Sequence, residues 1–260
     1  MVAPGVITAR ALDAAMAAIR PGVTTAELDA IAESVIRAAG ARPNFAMVPG
    51  YSHTICASVN EVVVHGIPDS RPLAPGDIVS IDCGAEFEGW NGDSARTVVV
   101  PDAGDPARTA ARQLLSDVTE RSMWAGIAAL SEVRHLNSVG AAIEDSVTAE
   151  GEYGILEDYT GHGIGRSMHE DPAVFNYRVR GNGSAVRPGL AVAIEPMVTA
   201  GGIETYTADD GWSVITTDGS MASHWEHSIA VHADGIWVLT AHDGGAAGLA
   251  PHGVVPVPIA

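Results

Sequence analysis

Five side chains have types and spacings that suit one another for metal chemistry. Asp82, in Ile81-Asp82-Cys83-Gly84, and Asp93, in Asn91-Gly92-Asp93-Ser94, flank a turn at residues 87 to 89. Counting outward from that turn places the two carboxylates nearly opposite each other on a hairpin, where cross-strand Cβ atoms lie about 5 Å apart. Carboxylates that close repel unless they share a proton or a cation. His162 stands in the glycine-rich turn Gly161-His162-Gly163-Ile164-Gly165, whose backbone can approach another group closely while presenting one imidazole. Glu195 precedes Pro196, which holds it extended at the end of the apolar run Leu190, Val192, Ile194. Glu226, in Trp225-Glu226-His227-Ser228-Ile229, stands inside another apolar strand, and a buried lone Glu is costly unless paired or metal-bound.

Taken singly, each has a plain structural reading. The aspartates fit strand edges facing water, His162 an incidental turn residue, and Glu195 a solvated strand terminus. His169, seven residues after His162, reads alone as a surface histidine. Jointly, four carboxylates and one imidazole at strands and tight turns suit two divalent ions about 3.5–4 Å apart, with a bridging water whose pKa the ions lower. Bridging carboxylates would relieve the repulsion between the ions.

The elements that must position these groups follow from periodicity and punctuation. A helix is predicted over Ile7–Ile19, ended by Arg20-Pro21-Gly22, and a second from Thr25 to about Ala39. Thr24 and Glu27 offer that second helix a capping box. Strands are predicted over Thr54–Val64, bent at Asn60-Glu61, then Ile78–Phe87 and Ser94–Val100. Two more helices are predicted over Ala107–Leu130 and Val133–Glu150. Further strands are predicted up to Ile194 and over Trp212–Thr216, Ser223–Val231 and Gly235–Leu239. The tail 242–260, rich in Gly, Ala and Pro, is expected to pack loosely. Each half, 1–106 and 107–241, runs helices first and antiparallel strands second. Each also carries an Arg-Pro turn, Arg71-Pro72-Leu73-Ala74-Pro75-Gly76 or Arg187-Pro188-Gly189-Leu190, before a strand ending in a carboxylate. The expectation is a single α+β domain with a pseudo-twofold internal repeat and helices on one face of a curved antiparallel sheet.

Composition narrows the function. Lys+Arg is 14 against Asp+Glu at 32, a net charge of −18, and every basic residue is Arg. That balance argues against a DNA-binding or anionic-lipid face. Without lysine, Schiff-base and P-loop chemistry are excluded. The two cysteines, Cys56 and Cys83, rule out a disulfide scaffold. No apolar stretch is long enough for a membrane span. Arg10, Asp13 and Arg20 break up the Ala-rich N-terminal stretch, which lacks the continuous apolar region of a signal peptide, so a cytoplasmic protein is expected; a monomer is expected as well.

Four segments together resemble the type I methionine aminopeptidases. They are Asn60-Glu61-Val62-Val63-Val64-His65-Gly66-Ile67-Pro68, Gly76-Asp77-Ile78-Val79-Ser80-Ile81-Asp82, Gly161-His162-Gly163-Ile164-Gly165-Arg166 and Trp225-Glu226-His227. The resemblance runs from about residue 5 to 240 and implies the pita-bread fold of the creatinase and aminopeptidase group. It implies Asp82, Asp93, His162, Glu195 and Glu226 as ligands of two divalent ions (Co, Mn, Fe or Zn), with Asp93 and Glu226 bridging. Glu195 would also be the general base. His65 and His169 would contact the scissile peptide and stabilise its oxyanion. The implied reaction removes an N-terminal Met from nascent or finished polypeptides when the second residue is small. Tyr51, Cys56 and Trp212 match methionine-pocket positions, with Phe45 and Val48 on neighbouring walls. Met168 stands where the family often has Phe, and a thioether can still line such a pocket.

Three alternatives compete. Type II enzymes carry a long insertion, and the 25 residues between His169 and Glu195 leave no room for it. Prolidases and proline-specific aminopeptidases share fold and ligands but usually carry a large N-terminal domain. A non-catalytic binding protein of this fold would typically have lost ligands that are all present here. Some family members dock on ribosomal RNA; an acidic, Lys-free surface disfavours such docking unless the arginines cluster.

Overall fold

The computed structural model describes residues 1–259. Its first half opens with α1 (Val2–Ala18) and α2 (Thr25–Ala38). Helix α1 begins five residues before the predicted start, because its first turn is held by packing rather than by apolar spacing. Gly5 lies so close to Leu239 that a Cβ would overlap that carbonyl. Helix α2 begins as predicted: the Thr24 side chain accepts from the Glu27 N–H, and the Glu27 carboxylate accepts from the Thr24 N–H at 2.8 Å.

The strands of this half are β1 (Arg42–Pro43), β2 (Ile55–Val59), β3 (Val62–Val64), β4 (Ile78–Phe87) and β5 (Trp90–Val99). Strands β4 and β5 form the long hairpin, paired antiparallel from Ile78↔Val99 to Phe87↔Trp90. Strands β1 and β2 share the other edge of β4. Leu12, Leu28, Ile36, Ile55 and Ile81 fill the core between this sheet and the two helices.

The second half repeats the order. Helices α3 (Pro106–Leu130) and α4 (Asn137–Glu150) come first. Strands β6 (Gly154–Ile155), β7 (Gly161–Gly163), β8 (Glu170–Val174), β9 (Ala191–Ile194) and β10 (Met197–Thr199) follow. The last strands are β11 (Thr205–Thr207), β12 (Val214–Thr216), β13 (Ala222–His224), β14 (His227–His232) and β15 (Gly235–Val238). A five-stranded sheet runs β15-β14-β9-β7-β8, and two three-stranded sheets run β13-β10-β6 and β11-β12-β3. All recorded pairings are antiparallel; α1 packs on β4 and β5, and α3 on β5, β9, β10 and β13.

Two predicted strands are each cut in two. Thr54–Val64 divides into β2 and β3, which lie in different sheets, with Asn60 turned to φ 60° between them. Ser223–Val231 divides into β13 and β14, also in different sheets, around Trp225-Glu226. An apolar run cannot signal such a transfer, because both pieces are buried.

The tail does not pack loosely. Ala246–Leu249 forms α5, and Leu249 is fully buried in the second core with Met123, Ile127 and Ile229. The Val257 N–H donates to the Ile236 carbonyl at 2.9 Å, and His232 Nε2 donates to the Val257 carbonyl at 2.9 Å. Among the described residues, no helix is long and apolar enough to cross a membrane.

Candidate metal centre and active site

The β4–β5 register sets the first two carboxylates. Asp82 is opposite Ala95, and Asp93 is opposite Gly84. They therefore share a face but sit two positions apart on the diagonal, rather than nearly opposite as predicted. Side chains on such a diagonal can still reach one another.

His162 is the middle residue of β7, not of a turn, with β8 and β9 on either side. Its flanking glycines are required by close approach. A Cβ on Gly161 would overlap the Ala193 carbonyl, and one on Gly163 the Asp171 carbonyl. His162 Nδ1 donates to the Gly163 carbonyl at 2.8 Å. That bond fixes the tautomer and leaves the Nε2 lone pair free to bind a metal.

Glu195 and Glu226 stand where the chain passes between sheets. Ile194 pairs with His227 in one sheet, and Met197 pairs with His224 in the next. Glu195-Pro196 and Trp225-Glu226 are the two connections across that seam. Glu226 is thus between strands rather than inside one, as the apolar run had implied. Its backbone is clamped to the first half: Glu226 N–H donates to the Ala95 carbonyl at 2.9 Å, and Ser94 Oγ donates to the Glu226 carbonyl at 2.7 Å. Ser228 Oγ likewise donates to the Asp93 carbonyl at 2.7 Å.

These placements bring the five groups together. One ligand atom from each of Asp93, His162 and Glu226 falls within 4.8 Å of the others. Glu195 Oε1 lies 3.3 Å from His162 Nε2. Asp82 Oδ1, Asp93 Oδ1 and Glu226 Oε1 are sealed from solvent and have no hydrogen-bond partner. Buried acceptors left unpaired are costly, and a shared cation removes the cost. The donors are oxygens and one imidazole nitrogen, which suit borderline divalent metals. The residues therefore fit a divalent metal centre.

Electrostatics agree. Burial pushes the Asp82 carboxyl up to about 7. Burial, with charge from neighbouring carboxylates, raises Asp93, Glu195 and Glu226 well above the usual range. Burial lowers His162 to about 4, so its imidazole is neutral and able to ligate.

His65 and His169 face the same space. His65 has φ 59°, a left-handed backbone that a non-glycine residue holds only when its surroundings over-determine it. The surroundings do so: the next residue, Gly66, lies hard against Ala57, and its carbonyl accepts from the Ala57 N–H at 2.8 Å. The His169 ring meets the His162 ring edge-on, centroids 4.4 Å apart. Burial lowers the pKa of both His65 and His169.

A cavity of about 150 Å³ joins these groups. Its polar end carries Asp82, Asp93, His162, Glu195, Glu226, His65 and His169. Its apolar end is lined by Phe45, Val48, Tyr51, Cys56, Met168 and Trp212. Tyr51 turns its hydroxyl away to the Ile55 carbonyl at 2.7 Å and meets Trp212 edge-on at 5.0 Å. Every site residue singled out in the sequence lines this one cavity.

Three lining residues were missed: Val64, Met197 and His224. Val64 precedes His65, and Met197 opens the strand after Glu195-Pro196. His224 stands two residues before Glu226 and could have been noticed by that alternation. Its Nε2 lies 3.7 Å from Glu195 Oε2.

A family model, metallopeptidase family M24, matches residues 1–233. Methionine aminopeptidase 1 of Mycobacterium tuberculosis is 48% identical over 246 residues, covering 92% of this chain and 91% of that protein. The crystal structure of methionine aminopeptidase from Rickettsia prowazekii superposes with a TM-score of 0.86 at 36% identity, covering 92% of this chain and 95% of that one. The prolidase from Pyrococcus furiosus superposes with a TM-score of 0.69 at 20% identity. That match covers 92% of this chain but 62% of the prolidase, and it speaks to the fold alone.

Proposed function

The chain belongs to metallopeptidase family M24, among its methionine aminopeptidases, and we propose that it removes the N-terminal methionine of polypeptides whose second residue is small. One observation carries this reading. The partnerless oxygens of Asp82, Asp93 and Glu226 and the free Nε2 of His162 meet at the polar end of a cavity whose other end is apolar. Its volume of about 150 Å³ is of the size that holds one medium apolar group.

In this reading Asp82, Asp93, His162, Glu195 and Glu226 would hold two divalent ions, of the Mn, Fe, Co or Zn kind. Such ions supply Lewis acidity and a water acidic enough to attack a carbonyl near neutral pH. The methionine side chain lies among Phe45, Val48, Tyr51, Cys56, Met168 and Trp212, where the Met168 thioether can adapt to it. That placement sets the scissile carbonyl beside the two histidines. Neutral His65 and His169 donate hydrogen bonds to the oxygen that gains negative charge as the carbonyl is attacked. Glu195 takes the proton of the attacking water and delivers it to the leaving amine.

The substrates are the N-termini of newly made polypeptides, met in the cytoplasm by a monomer. The acidic, Lys-free surface disfavours docking on ribosomal RNA. A measurement on tripeptides tests the reading. Metal-stripped protein is given Mn or Co stepwise, with Met-Ala-Ser, Met-Leu-Ser and Ala-Pro-Ser offered separately. Metal-dependent release of Met from the first peptide alone is expected. Release from Ala-Pro-Ser instead moves the chain to the proline-specific branch. No release from folded, metal-loaded protein makes it a binding module.

A further inference from the structure

Glu195 is bracketed by two imidazoles, and only His162 has a role so far. His224 closes β13, directly opposite Met197 of β10, so its ring reaches Glu195 across the seam between the two sheets. It is 2% exposed, and its Nε2 is sealed from solvent with no hydrogen-bond partner. Glu195 Oε2 lies 3.7 Å from that nitrogen, while Glu195 Oε1 faces His162 Nε2 at 3.3 Å. The His224 backbone is held firmly: its N–H donates to Thr97 Oγ1 at 3.0 Å, and its carbonyl accepts from Thr97 Oγ1 at 2.8 Å.

We propose that His224 is a positioning residue whose Nε2–H holds the Oε2 arm of Glu195 and so aims that carboxylate at the metal centre. The inference rests on the metallo-aminopeptidase reading of the site. A neutral imidazole carries one N–H, and Glu195 Oε2 is the acceptor it faces. A side-chain shift of about 1 Å closes the gap to an ordinary charge-assisted hydrogen bond. The contact recorded for His224 Nε2 is with Glu195 Oε2, which makes the imidazole a partner of that carboxylate. Glu195 must both bind metal and move a proton, so a donor fixing one oxygen leaves the other with a single orientation. Residues that orient a metal ligand in this way commonly set metal affinity.

The test titrates metal-stripped full-length protein with Mn(II) by calorimetry and records the visible spectrum of the Co(II) form. Wild type is compared with H224L and H224Q, each checked for folding by circular dichroism. H224L is expected to bind metal about 10–100-fold more weakly and to show an altered Co(II) spectrum. H224Q keeps an N–H donor at similar reach and is expected to restore both. Wild-type binding and spectrum in H224L overturn the proposal, as does an H224Q variant no better than H224L. Should H224L fail to fold, nitrogen-15 imidazole NMR of the Zn-loaded wild type decides. A protonated His224 Nε2 supports the role, and an unprotonated Nε2 overturns it. Failure of the wild type to bind any metal instead defeats the underlying reading of the site, and that outcome is separable from all the others.

Discussion

His65 and His169 line the cavity, and burial lowers the pKa of both imidazoles. In the proposed reaction their N–H groups are donors fixed before the substrate arrives, and preorganised donors act where charge develops. Replacing either with Ala should leave metal content unchanged and lower kcat by about 10²–10³-fold. Atomic absorption on the purified variants, beside a Met-release assay, checks both halves of that statement; loss of metal from either variant would show its role to be wrong. Asp82 makes the stability of the metal-free protein depend on pH. In the metal-free protein its carboxyl holds a proton up to about pH 7, whereas an unfolded Asp releases it near 4. The folded state binds the extra proton between those values. Its contribution to stability is therefore complete below about pH 4 and is lost as pH rises through about 7. D82N removes the titration, so metal-free D82N should gain thermal stability over metal-free wild type as pH rises from 4 to 7. A difference in melting temperature that stays constant over that range contradicts the assignment.

The elements carry the site at their interruptions. Glu195 and Glu226 both sit at connections between sheets, where a side chain can leave the strand face and the backbone is clamped from outside. His162, proposed as a ligand, sits instead within a strand, where the β7–β8 register shifts between the two glycines beside it. Gly163→Ala would press a Cβ into the Asp171 carbonyl of β8. Backbone cannot yield as a flexible side chain does, so β7 or β8 must shift. Overpacking of this kind costs about 1–3 kcal/mol. The expected outcome is a lower denaturation midpoint together with weaker Mn(II) binding in calorimetry. A variant that loses stability but keeps full metal affinity would show that β8, not His162, takes up the strain. The capping box of Thr24 and Glu27 shows the other extreme, an element whose start is fixed by two local hydrogen bonds alone.

At the scale of the whole molecule, two similar halves meet at the centre they build. The first hairpin supplies Asp82 and Asp93; the second half supplies His162, Glu195 and Glu226. Ser94, Ala95 and Ser228 tie the halves together beside the proposed ligands. The C-terminal segment reinforces the second half rather than trailing from it. Leu249 is fully buried beside Met123 and Ile127 of α3. Leu249→Ala should lower stability by about 2–5 kcal/mol, measured by urea unfolding, while metal affinity in the folded state is kept. A change below about 0.5 kcal/mol is what an exposed position gives, and would return the tail to the loosely packed segment its composition implied.

The amino-acid sequence carried the candidate site and most of the regular elements. Asp82, Asp93, His162, Glu195 and Glu226, which meet at one cavity, were legible because carboxylates and glycines in apolar runs break the pattern that burial imposes. Thr24 with Glu27 and the limits of β4 were legible because caps and alternation are local signals. Tertiary structure alone decided where a buried run changes sheets, as at Asn60 and Trp225-Glu226, since both sides of such a break are equally apolar. It also decided the two-residue offset between Asp82 and Asp93, which depends on hairpin register rather than on counting from a turn. Folding of the Gly- and Pro-rich tail onto α3 was invisible, because Met123 and Ile127, which share a core with Leu249, lie more than a hundred residues away in the chain. The approach of His224 to Glu195 belongs with these. Two strands must pair before that imidazole and that carboxylate have any common neighbourhood, and no local pattern encodes the pairing.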